Sequence, residues 1–470
     1  MQNTAATSGK LRSRWSAASR KARAALATVL VAATLVLPPL AAGLLAPPAH
    51  AASNTFTVNS ASDFADVKVG DGVCDADFAT GDLCTLRAAI QEANATTDQD
   101  TISFGIPGTG VHTISPQTNL PNIIRPVTIN GLSQPGSSAN TLSKGTNAKP
   151  TIELNGSGVA GTSEPNGLSI LSSNVTVTGL VINRFGGAGV FVFGGTSNVF
   201  LAENFIGTDP TGTQDLGNAS GVVDQGFATS IGGPLPQQAN VISGNDGPGV
   251  SVRSLASSTA VSHNLVGTDK TGTKRLGNSG VGVEVAGSSA NNVSANTVAF
   301  NGKDGVRISD AAGSASHVDQ NFISSNSIFS NVGLGINLIN PNALVEAGQT
   351  EGATPNDPGD IDAGPNGLQN KPVLTSAKKD ASGATTIKGK LNSHSGEAYT
   401  VEFFKNPKGT NEGKTFLFSR TVSTDGTGNV SFAFKTTKKV ALGQTITATA
   451  MRASTLETSE FSAPRTVVSV

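Results

Sequence analysis

The chain has 470 residues with 55 Gly, 22 Pro and 14% charged side chains, a length for two or three domains and too little charge for a disordered tail. One Trp (Trp15), one Tyr and abundant Gly, Val, Thr and Asn exclude long helices as the main architecture and point to β structure. The formal net charge of −1 becomes −7 once residues 1–51, with six basic and no acidic side chains, are set aside.

Those first residues read as a signal peptide over 1–51. Lys10, Arg12, Arg14, Arg20, Lys21 and Arg23 precede an apolar run from Ala24 to Leu45, and Ala49-His50-Ala51 supplies small residues at a cleavage point. Pro38-Pro39 splits the run, which argues against a permanent span needing roughly 20 unbroken apolar residues. The expected product is secreted, extracellular or loosely attached to a cell wall, with no stable membrane span after cleavage.

Residues 52–130 read as an N-terminal cap and the first strands. Cys74 and Cys84 lie ten positions apart in an exported chain, which predicts a local disulfide; two sulfurs without neighbouring His make poor zinc geometry. Thr85 can cap a short helix in which Leu86, Ala89, Ile90 and Ala93 form one apolar face. Such a helix before a long β region suits a plug over the open first turn of a solenoid.

The segment Cys84-Thr85-Leu86-Arg87-Ala88-Ala89-Ile90-Gln91-Glu92-Ala93-Asn94 resembles the Cys-Ser-Leu-Arg-Glu-Ala-Ile-x-x-Ala-Asn signature of the CSLREA-domain family of secreted bacterial β-helix proteins. Ala88 stands where the family has Glu, which removes a capping-box carboxylate. Asp100-Thr101-Ile102-Ser103-Phe104 and Pro126-Val127-Thr128-Ile129-Asn130-Gly131 also look like that family's opening strands. The resemblance implies a pectin-lyase-like fold with an appended C-terminal sandwich and is silent on activity.

Residues 131–345 repeat. Asn204-Phe205-Ile206-Gly207-Thr208-Asp209 through Leu216-Gly217-Asn218 returns 60 positions later as Asn264-Leu265-Val266-Gly267-Thr268-Asp269 through Leu276-Gly277-Asn278. The pattern Gly, Val, any, Val or Ile recurs at Gly189, Gly249 and Gly305. A fixed period with short Val- and Ile-rich strands between Gly and Asn turns predicts an all-β, right-handed parallel β-helix, the 60 residues being two coils. Asn204, Asn240, Asn264, Asn296, Asn321 and Asn326 are expected at left-handed turn positions, stacked as a ladder.

Residues 346–370 read as an acidic linker or bottom cap, where Asp357, Asp360, Asp362 and Asn366 could hold calcium although no EF-hand spacing is present. Residues 371–470 alternate as strands and predict an immunoglobulin-like β-sandwich. This part holds 14 basic and 7 acidic side chains, net +7, against 12 and 26 over 52–370, net −14. The basic domain is an electrostatic anchor to an acidic surface or simply a solvated face, and the acidic body disfavours nucleic acid.

The catalytic signal is thin. Glycoside hydrolysis needs two carboxylates about a glycosidic bond, and the available acids are Glu203, Asp209, Asp269, Glu284 and Asp319. Asp209 and Asp269 are repeat-equivalent, and an Asp after Gly-Thr is also a turn former. Arg253 and Arg307 are basic candidates on strands read as equivalent, and His263 and His317 lie beside strands. Neither the paired-Asp nor the Arg-Ile-Lys motif of pectin-degrading β-helix enzymes is present. Sugar platforms usually need Trp or Tyr, and beyond Trp15 the chain offers Tyr399. The sequence therefore reads as an adhesin-like protein contacting an extracellular polysaccharide, matrix or cell-surface polymer. The rival is a polysaccharide lyase or hydrolase with a groove at Glu203, Asp209, Asp269 and Arg307.

Overall fold

The computed structural model describes residues 53–77, 83–159, 165–311, 317–339 and 352–470. The predicted export segment and residues 346–351 of the acidic stretch lie outside them. Among the described residues no helix is long and apolar enough to cross a membrane.

Short strands wind repeatedly through three parallel sheets. The first sheet has nine strands from Thr55–Val58 to Phe322–Ser324, the second eight from His112–Ile114 to Ser327–Phe329, and the third seven from Leu168–Ile170 to Ile336–Ile339. One coil takes Phe200–Ala202, Phe205–Ile206 and Ser220–Asp224, then re-enters the first sheet at Ser230–Gly232. The register Phe200↔Ser230↔Ala260 makes 60 residues two coils. The chain is thus a parallel β-helix.

Alternation decides what each coil buries. Leu201, Ile231 and Val261 from the first sheet, Ile206, Ile242 and Val266 from the second, and Val222, Val250 and Val283 from the third share one continuous core. Each such side chain, fully buried, contributes roughly 1.5–3 kcal/mol, so no coil is stable alone but a stack is.

The corners are held by asparagines, with a correction to the expected geometry. Asn204, Asn240, Asn264, Asn296 and Asn326 form one row in which each Nδ2 donates to the next Oδ1 at 2.9–3.2 Å. At four of the five positions the left-handed residue is the one before the Asn: Glu203, His263, Ala295 and Ser325 have φ of 57°, 61°, 57° and 57°, whereas Ala239 before Asn240 has φ of −62°. The Asn itself is not left-handed, and its amide satisfies buried backbone groups. Asn321 belongs to a different row, running from Asn291 to Asn366. A further row joins Asn218, Asn245, Asn278, Asn301 and Asn331.

Both ends are closed. The helix Leu86–Ala95 buries Leu86, Ala89, Ile90 and Ala93 in the core over the first coil, and Thr85 Oγ1 caps it by accepting from the Ala88 amide at 3.1 Å. Glu92 accepts from the amides of Gly70 and Gly72, Arg87 clamps Asp63, and Cys74 and Cys84 form a disulfide. At the other end Asn366 terminates its row, the strand residue Ile328 pairs with Gly413, and the carboxylates of Glu402, Glu412 and Glu460 accept from Ser325, Asn331 and Leu338 amides.

Glu402, Glu412 and Glu460 come from a β-sandwich of two four-stranded sheets. It is antiparallel except where Val373–Lys379 meets Val468–Ser469, and its core includes Phe403, Ile387, Leu391 and Ile446. The described part of the acidic segment is packed rather than a free linker: Asp360, Asn366 and Asn370 are buried.

Candidate functional site

The outer face of the second sheet carries a cleft that the core does not use. Gly207 and Gly267, at φ of 89° and 84°, let the chain leave the sheet, and the bridges Thr208↔Asp215 and Thr268↔Arg275 close each excursion into a small hairpin. The two hairpins stack, with the Lys270 amide donating to Gly212, and the Thr146 amide joins them through Lys270. Together they cover Val181, Phe205, Val241 and Leu265, with Ala148 packed among them.

The next two coils lack the excursion, so their face stays open. There Phe300 and Phe329 lie edge to face, ring centres 5.4 Å apart. On the far side stands the sandwich strand Thr415–Ser423 with Phe416. The result is a cleft of about 660 Å³ whose near wall holds Lys144, Thr271 and Thr273 and whose far wall holds Lys414, Thr415 and Phe416. Its lining is rich in Ser and Thr hydroxyls and contains no carboxylate.

Phe300 occupies a costly conformation. Its φ of 63° falls where the equivalent coil positions have Gly244 and Ser330, a bulky outlier costing on the order of 1–3 kcal/mol that the surrounding structure must hold. Cations lie over the rings: Lys414 Nζ is 4.3 Å from the Phe329 centre, Arg275 Cζ 5.8 Å from Phe300, and Lys438 Nζ 5.6 Å from Phe416. His263 also lines the cleft, its Nδ1 2.8 Å from the Gly233 carbonyl oxygen. A carbonyl accepts, so Nδ1 carries the proton and Nε2 is the basic nitrogen of the neutral ring.

The expected acid–base group does not assemble. Glu203 is at a corner between the first and second sheets, where its carboxylate accepts from the Asn140 amide at 2.6 Å and burial raises its pKa. Asp209 and Asp269 sit inside the hairpins as turn formers. Burial pushes Asp209 up, but hydrogen bonds from Thr211, Thr213 and Gln214 outweigh it and leave the carboxyl below its usual range. Asp269 accepts from Thr271, Thr273 and Lys274 in the same way. Arg307 is on the third sheet, bound to Asp304 at 2.7 Å. The four therefore do not share a groove. Arg253 and Arg307 are not register-equivalent either: Arg307 aligns with Glu284 and Ser251, and Arg253 with Ala286. Tyr399 is fully buried with its hydroxyl 2.8 Å from Ser393 Oγ, so it offers no sugar platform. Phenylalanines, not Tyr or Trp, line the cleft: Phe300 and Phe416 are half-buried and Phe329 is buried at its floor. They escaped the sequence reading because they are 29 and 87 positions apart (300, 329 and 416).

Of the four proposed calcium ligands the structure brings three together. Oxygens of Asp357, Asp360 and Asp362 lie within 4.8 Å of one another, whereas Asn366 is committed to Asn321 and Thr458. Burial, with mutual repulsion from Asp357, raises Asp360 and Asp362 to about 6. Asp362 Oδ1 is a buried acceptor with no hydrogen-bond partner among the described residues. An all-oxygen set with an unsatisfied member fits a hard cation. No residue lines both this cluster and the cleft.

No family model matches the chain, and no curated protein matches it. Among solved structures it is similar to the enzymatically active domain of bacteriophage CBA120 tailspike protein 2, at 14% identity over 87% of this chain and 76% of that one, TM-score 0.22. It is also similar to tailspike protein gp49 of Acinetobacter baumannii bacteriophage Fri1, a capsular polysaccharide depolymerase, at 8% identity over 78% of each chain, TM-score 0.16. Scores this low do not amount to a common superposition.

Proposed function

We propose that the chain is a secreted, adhesin-like β-helix protein that binds an extracellular polysaccharide or cell-surface polymer in the cleft on the second sheet. In this reading residues 1–51 are a cleaved leader, 52–130 and 131–345 make the helix of a CSLREA-domain protein, and 371–470 form an immunoglobulin-like sandwich. The observation that carries it is the cleft itself: about 660 Å³, floored by Phe300 and Phe329 and walled by hydroxyls. Ring faces of sugars are apolar and their edges are hydroxyls, so phenyl rings beside Ser and Thr meet both.

A carboxylate-free lining gives no support to two-carboxylate hydrolysis. The enzyme reading that an observation favours is a lyase, because His263 lines the cleft and its Nδ1 is held by the Gly233 carbonyl, which leaves Nε2 as the basic nitrogen. Calcium at Asp357, Asp360 and Asp362 is proposed as a structural ion, since the cluster ties the acidic segment to Asn370 and Ser393 rather than to the cleft.

The test is incubation of the purified protein with plant, algal and bacterial polysaccharides, with and without calcium, alongside pull-down on each polymer. Pull-down without new chain ends supports binding. New ends with the ultraviolet absorbance of unsaturated sugars would establish the lyase, and failure to retain any polymer would sink both.

A further inference from the structure

We infer that the cleft takes an anionic polysaccharide, one bearing uronate or sulfate groups, and that the sandwich supplies half of the site. The inference rests on the polysaccharide-binding reading and adds the charge class of the ligand and a role for the C-terminal domain.

The observation is the set of cations at the cleft. Lys144 and Lys414 line it, Arg275 and Lys438 lie over its rings Phe300 and Phe416, and among the described residues none of the four is in an ion pair. By contrast, four half-buried cations elsewhere are paired with carboxylates: Arg87 with Asp63, Arg307 with Asp304, Lys371 with Glu460 and Arg452 with Glu457. The surrounding body, residues 52–370, carries a net charge of −14. Four cations without ion pairs around a pocket lined by no carboxylate make a local positive field at the edge of the acidic helix body, which concentrates a moderately charged polymer. A denser polyanion such as nucleic acid would also meet the acidic helix body on one side of the cleft.

Two features favour a glycan over an acidic peptide. Thr297, Ser325, Ser327 and Ser330 present a row of hydroxyls along the floor, suited to sugar hydroxyls repeating along a strand. Half-buried Phe300 gives an apolar edge beside these hydroxyls, and Arg275 over it and Lys414 over Phe329 put cations next to that edge, so a carboxylated sugar can meet an apolar contact and a positive charge together.

The site is composite. Lys144 and Arg275 come from excursions of the helix, Lys414 from the loop before the sandwich strand Thr415–Ser423, and Lys438 from beyond the strand Asn429–Thr436. The Ile328↔Gly413 bridge and the Glu412 carboxylate on Asn331 fix Lys414 against the last coils. The basic character of the sandwich is thereby brought to one edge of the cleft.

The test uses the full chain as expressed, with affinity measured for polygalacturonate and alginate against the neutral polymers dextran and xylan, and with polyglutamate and single-stranded DNA as other polyanions. The double variant Lys144→Glu, Lys414→Glu is expected to lose about tenfold or more in affinity for the uronate polymers. The double variant Lys388→Glu, Lys390→Glu, equal in charge but on the sandwich sheet that does not line the cleft, is expected to lose less than about threefold. Thermal unfolding checks that all variants fold. Equal binding of neutral polymers, insensitive to the charge reversals, would overturn the inference while leaving the polysaccharide reading intact. Tighter binding of polyglutamate or DNA than of uronate polymers, or an equal loss in both double variants, would also overturn it. Retention of no polymer at all would remove both readings.

Discussion

Replacing Asn264 by Ala breaks one rung in the middle of a buried row, and its cost can be worked from the bonds that vanish. Asn264 is fully buried. Its Nδ2 donates to the Ile231 carbonyl at 2.7 Å and to Asn296 Oδ1 at 3.1 Å, and its Oδ1 accepts from the Asn240 amide and from Asn240 Nδ2 at 3.3 and 2.9 Å. Asn296 Oδ1 keeps the Asn264 amide and Asn240 Nδ2 keeps the Leu201 carbonyl; the Asn240 amide and the Ile231 carbonyl bear most of the loss, and the Ser262 carbonyl loses a longer bond of 3.1 Å. At roughly 1–3 kcal/mol for each unsatisfied group the expected destabilisation is about 4 kcal/mol. Asn264→Asp should be at least as damaging, since a carboxylate cannot donate to Ile231. The assay is guanidinium unfolding followed by circular dichroism, with the exposed Asn122→Ala as a control expected to cost under about 1 kcal/mol. A cost below about 1 kcal/mol for Asn264→Ala would refute the claim that the row carries stability.

The folded carboxyls of Asp360 and Asp362 are raised to about 6 from 3.8, so the proton is bound more tightly in the folded state. Their contribution is present below about pH 4 and lost as pH rises through about 6. Without divalent cations the protein should therefore melt at a lower temperature near pH 7.5 than near pH 5, to the extent that these two groups dominate, and calcium should raise the melting temperature at the higher pH. No calcium effect there would exclude the ion. Phe300→Gly should weaken polymer binding about tenfold yet change stability by less than about 1.5 kcal/mol, because relief at the positive φ offsets the lost ring packing; binding unchanged by titration calorimetry would remove Phe300 from the site. Cys74→Ser should cost about 3 kcal/mol by releasing a ten-residue loop, measured as a shift in the denaturant midpoint. A variant as stable as the parent would show that Arg87 and Glu92 hold the cap without it.

The helix was legible because its signal is local and repeated. Val, Ile and Asn recur at a fixed period, and the 60-residue offset falls out as two coils because each coil must return to the same sheet. Asn ladders were legible in position but not in conformation: nothing in the residue type tells that Glu203 or His263, rather than the Asn, takes the left-handed turn. Asp209 and Asp269 were conspicuous through repetition, and repetition here reflects a hairpin that must be closed twice. The cleft was not legible. It exists because two coils lack an insertion and because residues 414–416 arrive from another domain, and neither an omission nor a long-range contact leaves a mark on local pattern. A Phe immediately before the corner Asn301, where the preceding coil has Gly, was the one available hint.

The stacked hairpins carry an evolutionary consequence. Since the Lys270 amide bonds to the Gly212 carbonyl and the Lys270 side chain needs only a glycine beneath it, duplicating the 60-residue unit would add another hairpin of the same kind. Each duplication would lengthen the covered wall by two strand spacings, about 10 Å. The fold thus has a built-in way of changing its length: lineages can copy or delete coils between the same two ends while leaving the end caps untouched.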